Sequence, residues 1–217
     1  MQSLTLQGED FILHPHRAIY WRKEQALLLA DLHLGKGAHF RRSGIAVPEA
    51  TGARNFWRLQ NLIDEFHPER ILFLGDLFHS DYNQVWEQFV DFIAKNHAIS
   101  FELIPGNHDI LGEERYEAAG LLLQDEILEM GPFWLTHHPM EKDQLPADKY
   151  VLAGHVHPCV RMSNTGGRRG SIRLPAFWFG ERQGLLPAFG EFTGGYTVSV
   201  GKKDLVFVLV EGEVLAV

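Results

Sequence analysis

Five short polar blocks, each closing an apolar run, constrain this chain more than any other feature. The runs at 26–30, 71–74, Ser100–Ile104, Phe133–Thr136 and Tyr150–Ala153 are brief and bounded by glycine, proline or charge, as buried strands are. They end in Asp31-Leu32-His33, Gly75-Asp76, Gly106-Asn107-His108-Asp109, His137-His138 and Gly154-His155-Val156-His157. Between the first three runs, Phe56, Leu59, Leu62, Ile63 and Phe66 recur at helical spacing, as do Val85, Phe89, Phe92 and Ile93. Helices are therefore predicted over 48–66 and 84–96. Strand, helix, strand, helix, strand implies right-handed crossovers and a largely parallel sheet.

The rest of the chain reads as β-rich. Short strands are predicted at 4–6, 11–13 and 18–21, and, where helical spacing disappears after His157, at 197–200, 205–210 and 214–217. A second, more antiparallel sheet is expected there, and with 217 residues and 45% hydrophobic content the chain is read as one α/β domain over 1–217 with a shared core. The longest apolar run, 205–210, is far short of the roughly 20 residues of a membrane span. Residues 1–25 carry charges rather than a secretory apolar segment, so a cytoplasmic protein with no membrane partner is expected.

Cys159 is the single cysteine, which excludes an intrachain disulfide and a thiolate metal cluster. A metal must then be held by His, Asp and Asn, and this oxygen and imidazole set suits Mn²⁺, Fe or Zn²⁺. Ligands in open α/β sheets bind beyond the carboxyl ends of strands, where the five blocks fall. Residues i and i+2 of an extended segment face one way, so Asp31 and His33 are expected on one ion, and His155 and His157 on one side of the chain. Adjacent His137 and His138 point opposite ways, so only one of them should bind. The net charge of −8 argues against a protein that coats nucleic acid, although two divalent cations would halve it. Such a pair attracts a phosphate, acidifies a water held between the ions and stabilises an in-line displacement.

In this order, D-x-H, G-D, G-N-H-D, a later His and G-H-x-H resemble the calcineurin-like metallophosphoesterase superfamily over residues 31–157. The resemblance implies a β-sandwich flanked by helices (αββα) and a dinuclear site. It places Asp31, His33 and His157 on one ion, Asn107, His137 and His155 on the other, and Asp76 across both. It makes His108 the group that contacts phosphate and assists the leaving group, with Asp109 orienting its ring. It also favours His137 over His138 as ligand.

Lys36, Arg41, Arg42, His79 and His138 are candidate substrate contacts, and a solvated loop is the plain alternative for the first four. Arg161, Arg168, Arg169 and Arg173 follow the last ligand and read either as a solvated loop or as a phosphate track. Asp31-Leu32-His33-Leu34-Gly35-Lys36, with Leu174-Pro175-Ala176-Phe177-Trp178 and 186–195, resembles the bacterial ligase-associated DNA-damage-response endonuclease family, PdeM. That implies a Mn²⁺-dependent phosphodiesterase acting on DNA beside a DNA ligase and a helicase. The proline, glycine and aromatics of this tail read as a rigid loop that either packs or stacks on bases through 177–179. A small-molecule phosphodiesterase, a nucleotide pyrophosphatase, a protein phosphatase and a non-catalytic scaffold are the rival classes.

Overall fold

Alternating apolar and polar residues at the N-terminus fold as three antiparallel strands, β1 (Gln2–Leu6), β2 (Glu9–His14) and β3 (Ala18–Trp21). The structure is a computed structural model that describes residues 1–37, 50–78, 84–163, 171–191 and 193–217. Strand β4 (Ala26–Leu29), apolar on both faces, pairs antiparallel with β3 and opens a parallel run of β5 (Arg70–Leu74), β6 (Ser100–Ile104) and β7 (Leu121–Leu123). Helices α1 (Ala50–Phe66), α2 (Gln84–Lys95) and α3 (Glu113–Ala118) lie between these strands in the chain, giving a seven-stranded sheet in sequence order. Both longer helices fall where the apolar spacing predicts them; α3, only six residues long, carries no such periodicity.

The second sheet contains β8 (Ile127–Met130), β9 (Phe133–Thr136), β10 (Tyr150–Ala153), β11 (Pro158–Ser163), β12 (Ser171–Phe179), β13 (Gln183–Leu185), β14 (Tyr196–Thr197), β15 (Leu205–Val210) and β16 (Glu213–Ala216). Its order runs β14-β11-β12-β13-β10-β9-β8, with β15 on β12 and β16 on β15. Strands β9 and β10 belong here, so the five runs are divided between two sheets. Three end on the first and two on the second, and the site forms where those edges meet.

The tail around 174–178, expected as a rigid loop, is instead the middle of β12. Alternation puts Phe177 and Phe179 inward, at 0% and 1% exposure, so neither offers a face to a base. Pro175 is accommodated opposite Cys159 in the ladder. The strand expected over 197–200 shortens to Tyr196–Thr197.

The inner faces of the sheets share one core, in which Phe11, Trp21 and Phe133 pack at tilted and edge-on angles with ring centroids 5.1–5.4 Å apart. A second core joins the outer face of the first sheet to the helices through residues such as Leu59, Leu62, Phe89 and Tyr116. The outer face of the second sheet is covered by loop residues including Met140 and Leu145. Among the described residues no helix is long and apolar enough to cross a membrane.

A candidate dinuclear metal centre

Five of the residues expected to bind metal share a backbone state that L-residues seldom adopt. Asp31, His33, Asp76, His155 and His157 have φ of 54°, 46°, 51°, 66° and 52°. Asp31 and His33 therefore reach one place by a different route from the one expected. The chain leaves β4 in alternating left-handed turns rather than as an extended strand, and 155–157 repeat the device. Left-handed non-glycine residues cost about 1–3 kcal/mol each and gather at functional sites. Here neighbouring backbone holds them: Asp31 N–H donates to Gly75 O (3.1 Å) and His33 N–H to Asp76 O (2.9 Å).

Two glycines allow the closeness. Gly75, at φ 76°, leaves room where a Cβ would collide with the His137 ring, and a Cβ on Gly106 would collide with the amide and carboxylate of Asp76.

On one side lie Asp31, His33 and His157, with donor atoms all within 4.8 Å of one another. The His157 Nδ1–H donates to Thr193 O at 3.0 Å, which leaves Nε2 as a lone pair. That lone pair faces Asp31 Oδ1 at 3.3 Å. Both atoms are buried, and among the described residues neither has a hydrogen-bond partner. Two acceptors aimed at each other repel, and a cation between them reconciles the geometry. The other Asp31 oxygen, Oδ2, accepts the His155 N–H at 2.9 Å.

On the other side, His137 Nδ1–H donates to Leu74 O at 2.9 Å, so Nε2 again presents a lone pair. Around it stand Asn107 Oδ1 at 3.1 Å, His155 Nδ1 at 3.2 Å and Asp76 Oδ1 at 3.5 Å. His137 is buried. His138 is exposed, and its ring packs on those of His137 and His155 with centroids 4.5 and 4.3 Å away. Desolvation, with His137 adding to it, lowers the pKa of both His138 and His155, which favours the neutral rings that can serve as ligands. Buried Asp76 lies between the two sets, with Oδ2 3.7 Å from His33 Nε2. These donors fit hard or borderline divalent cations.

His108 has its backbone N–H fixed on Asp76 Oδ1 (2.9 Å), while its half-exposed ring stands 4.0 Å from Asp76 Oδ2. Asp109 does not orient that ring as expected. Its two oxygens accept the backbone N–H groups of Phe78 (3.1 Å) and Gly106 (2.9 Å), pinning two ligand-bearing loops together. Desolvation pushes its carboxyl up to about 6, against those two hydrogen bonds. Burial lowers the Lys36 ammonium pKa, against the attraction of Asp76 and Asp31, which puts that amine within electrostatic reach of the carboxylates. Arg41, Arg42, His79, Arg168 and Arg169 lie outside the described residues.

Other supports are hard to see in the sequence. The Leu74 and Thr193 carbonyls set the two tautomers, and no side-chain pattern announces a carbonyl. Arg58 and Asn55 could have been noticed, because they interrupt the apolar stripe of α1. Arg58 donates to Asn55 Oδ1 (2.6 Å) and to Phe189 O and lies over the Phe189 ring. Asn55 Nδ2–H donates to Leu32 O (3.3 Å), and Gly190 N–H to Asp31 O (3.0 Å), so the clamp ends on the Asp31 loop.

A calcineurin-like phosphoesterase family model matches residues 25–143. The crystal structure of a Pseudomonas putida nuclease, MPE, superposes with a TM-score of 0.83 at 32% identity, covering 100% of this chain and 99% of that one. An Escherichia coli phosphoesterase, Yfce, superposes with a TM-score of 0.47 at 14% identity, covering 88% of this chain and 96% of that one. No curated protein matches the chain. The chain belongs to the calcineurin-like phosphoesterase family, whose members are metal-dependent phosphoesterases.

Proposed function

We propose that this protein is a Mn²⁺-loaded phosphodiesterase that cuts DNA as an endonuclease. Asp31, His33 and His157 hold one ion in this reading, Asn107, His137 and His155 the other, and Asp76 both. The observation that carries it is the position of Asp76, whose Oδ2 turns to His33 and whose Oδ1 turns to His137. Bound there, two divalent cations supply charge stabilisation at a phosphate and a nucleophile at neutral pH. The chain's own part is to fix the donors. Left-handed turns and carbonyl-locked tautomers set every ligand but Asn107 before substrate arrives, so little reorganisation remains at the moment of reaction. His108, tethered through its backbone and open to solvent, stands where its ring can hand a proton to a departing ester oxygen. Lys36 adds positive charge for phosphate, and His138 lines the mouth.

DNA as substrate is supported by the likeness to the Pseudomonas nuclease over the whole chain. It is also supported by exposed Arg161 and Arg173, directly opposite each other on β11 and β12. Like charges so placed are unfavourable alone and suit a polyanion. A role in repair beside a DNA ligase and a helicase extends the proposal through the motif resemblance. The test is turnover by Mn²⁺-loaded protein of bis(p-nitrophenyl) phosphate, p-nitrophenyl phosphate, and single-stranded, duplex and gapped DNA, with His108→Ala as control. Cleavage of the diester and of DNA, lost in the variant, is expected; no turnover of any DNA would return the substrate to a small phosphodiester.

A further inference from the structure

On the side of Asn107 and His137 the site opens into a cleft of about 640 Å³, whose farther walls include Gln124, Ile127, Met140 and Gln144. We propose that this cleft is a subsite for one nucleobase, carried on the ester arm of the scissile phosphate that lies beyond Asn107 and His137. The proposal rests on the phosphodiesterase reading. The volume falls in the range of small-ligand sites, roughly 300–1,000 Å³. Among the described residues its lining includes Asp125 and Glu126 and no lysine or arginine, a setting that repels a second phosphate and accepts an uncharged ring. Ile127, 41% exposed, and Met140 supply apolar surface for a ring to lie against.

The walls are already fixed. Met140 N–H donates to Gln183 Oε1 (3.2 Å) and Met140 O accepts from Gln183 Nε2–H (3.3 Å), while Arg182 donates to the carbonyls of Leu145 and Pro146. Thr136 Oγ1–H donates to His138 O at 2.7 Å. Gln124 gives one amide hydrogen to Glu102, itself gripped by Arg70, so its second N–H and its amide oxygen are what Gln124 has left to offer. A subsite fixed in advance costs a ligand little ordering on binding. The cleft also stands at the β8–β9 end of the second sheet, whereas Arg161 and Arg173 stand on β11 and β12, towards the opposite end. The sheet therefore separates a basic surface, suited to successive phosphates, from a neutral-to-acidic one, suited to a base.

The experiment compares Mn²⁺-loaded wild type with the Ile127→Ala/Met140→Ala double variant. The substrates are the thymidine dinucleoside monophosphate, its two analogues lacking one base or the other, and bis(p-nitrophenyl) phosphate as a check of diester turnover. For wild type, removing the base from one arm should lower kcat/KM about tenfold or more, and removing the other should matter far less. The double variant should lose that difference while keeping its rate on the analogue that lacks the base on that arm. Equal sensitivity to both bases, no sensitivity to either, an unchanged difference in the variant, or wild type that hydrolyses bis(p-nitrophenyl) phosphate but not the dinucleotide would overturn the subsite alone. Inactivity towards every diester would sink the phosphodiesterase reading and the subsite with it.

Discussion

Asp31 Oδ1 and His157 Nε2 face each other at 3.3 Å inside the protein, and neither is hydrogen-bonded to any described residue. The fold holds two acceptors in a position that favours a cation, so metal binding and stability are linked. Adding Mn²⁺ to chelator-stripped protein at about 100 times its Kd should stabilise the fold by about 2.7 kcal/mol per site and raise Tm by several degrees. His157→Ala removes the facing lone pair. Its stripped form should melt no lower than stripped wild type, and its Mn²⁺-dependent rise should be smaller. Thermal melts with and without Mn²⁺ check both; an undiminished rise in the variant would contradict the assignment.

Gly75 leaves the space that the His137 ring fills, and its φ of 76° suits few other residues. Gly75→Ala should cost about 1–3 kcal/mol through strain and collision. It should also lower metal content by about one ion, because the displaced ring is a proposed ligand. Urea unfolding and metal analysis of the same sample separate the two effects, and a variant with full metal content would refute the claimed closeness.

Arg58 acts on the site at second hand, through Phe189 and the Asp31 loop. Arg58→Met would strand the Phe189 carbonyl and the Asn55 amide in a buried setting, at about 2–4 kcal/mol. Arg58→Lys should recover only part, since a lysine has no planar fork to bond two acceptors while lying over a ring. Denaturant unfolding of both variants gives the comparison.

Acid sensitivity should have a contribution far from the metals. His14 Nδ1 accepts the His16 N–H at 3.0 Å while Nε2 lies 3.2 Å from Glu65 Oε2, so the ring is held neutral with its proton on Nε2. Desolvation pushes its pKa down to about 4, below the ordinary 6.5. Between these values the unfolded chain takes up a proton that the folded one refuses, so stability falls as pH drops from about 6.5 towards 4 and is unaffected above that window. His14→Gln keeps a donor and an acceptor without a titration. Unfolding free energies at pH 7.5 and 5 should show a smaller loss in the variant, with His16, also pushed to about 4, retaining part of the slope.

Much of this site was legible because the chemistry lies in side chains at the ends of apolar runs. Asp31, His33, Asp76, Asn107, His137, His155 and His157 are brought together as the motif order implies. Three things were hidden. The left-handed turns at Asp31 and His33 are imposed by contacts with Gly75 and Asp76, more than 40 positions along the chain. The division of the five runs between two sheets depends on pairing partners such as β13 that carry little pattern of their own. The role of Asp109 depends on which loop amides lie within reach, and it went to the Phe78 and Gly106 amides rather than to the next ring. The tail misled for a simpler reason: Pro175 and its aromatic neighbours carry loop-like composition, yet alternation buries Phe177 and Phe179 as in any strand.

The most direct test of a two-ion phosphodiesterase is the rate of bis(p-nitrophenyl) phosphate hydrolysis as Mn²⁺ is titrated into metal-free protein. In wild type the rate should climb to a plateau at two equivalents, and Asp76→Ala, lacking the shared carboxylate, should show no turnover at two equivalents. A plateau at one equivalent, or an Asp76→Ala titration that matches wild type, would contradict the two-ion reading.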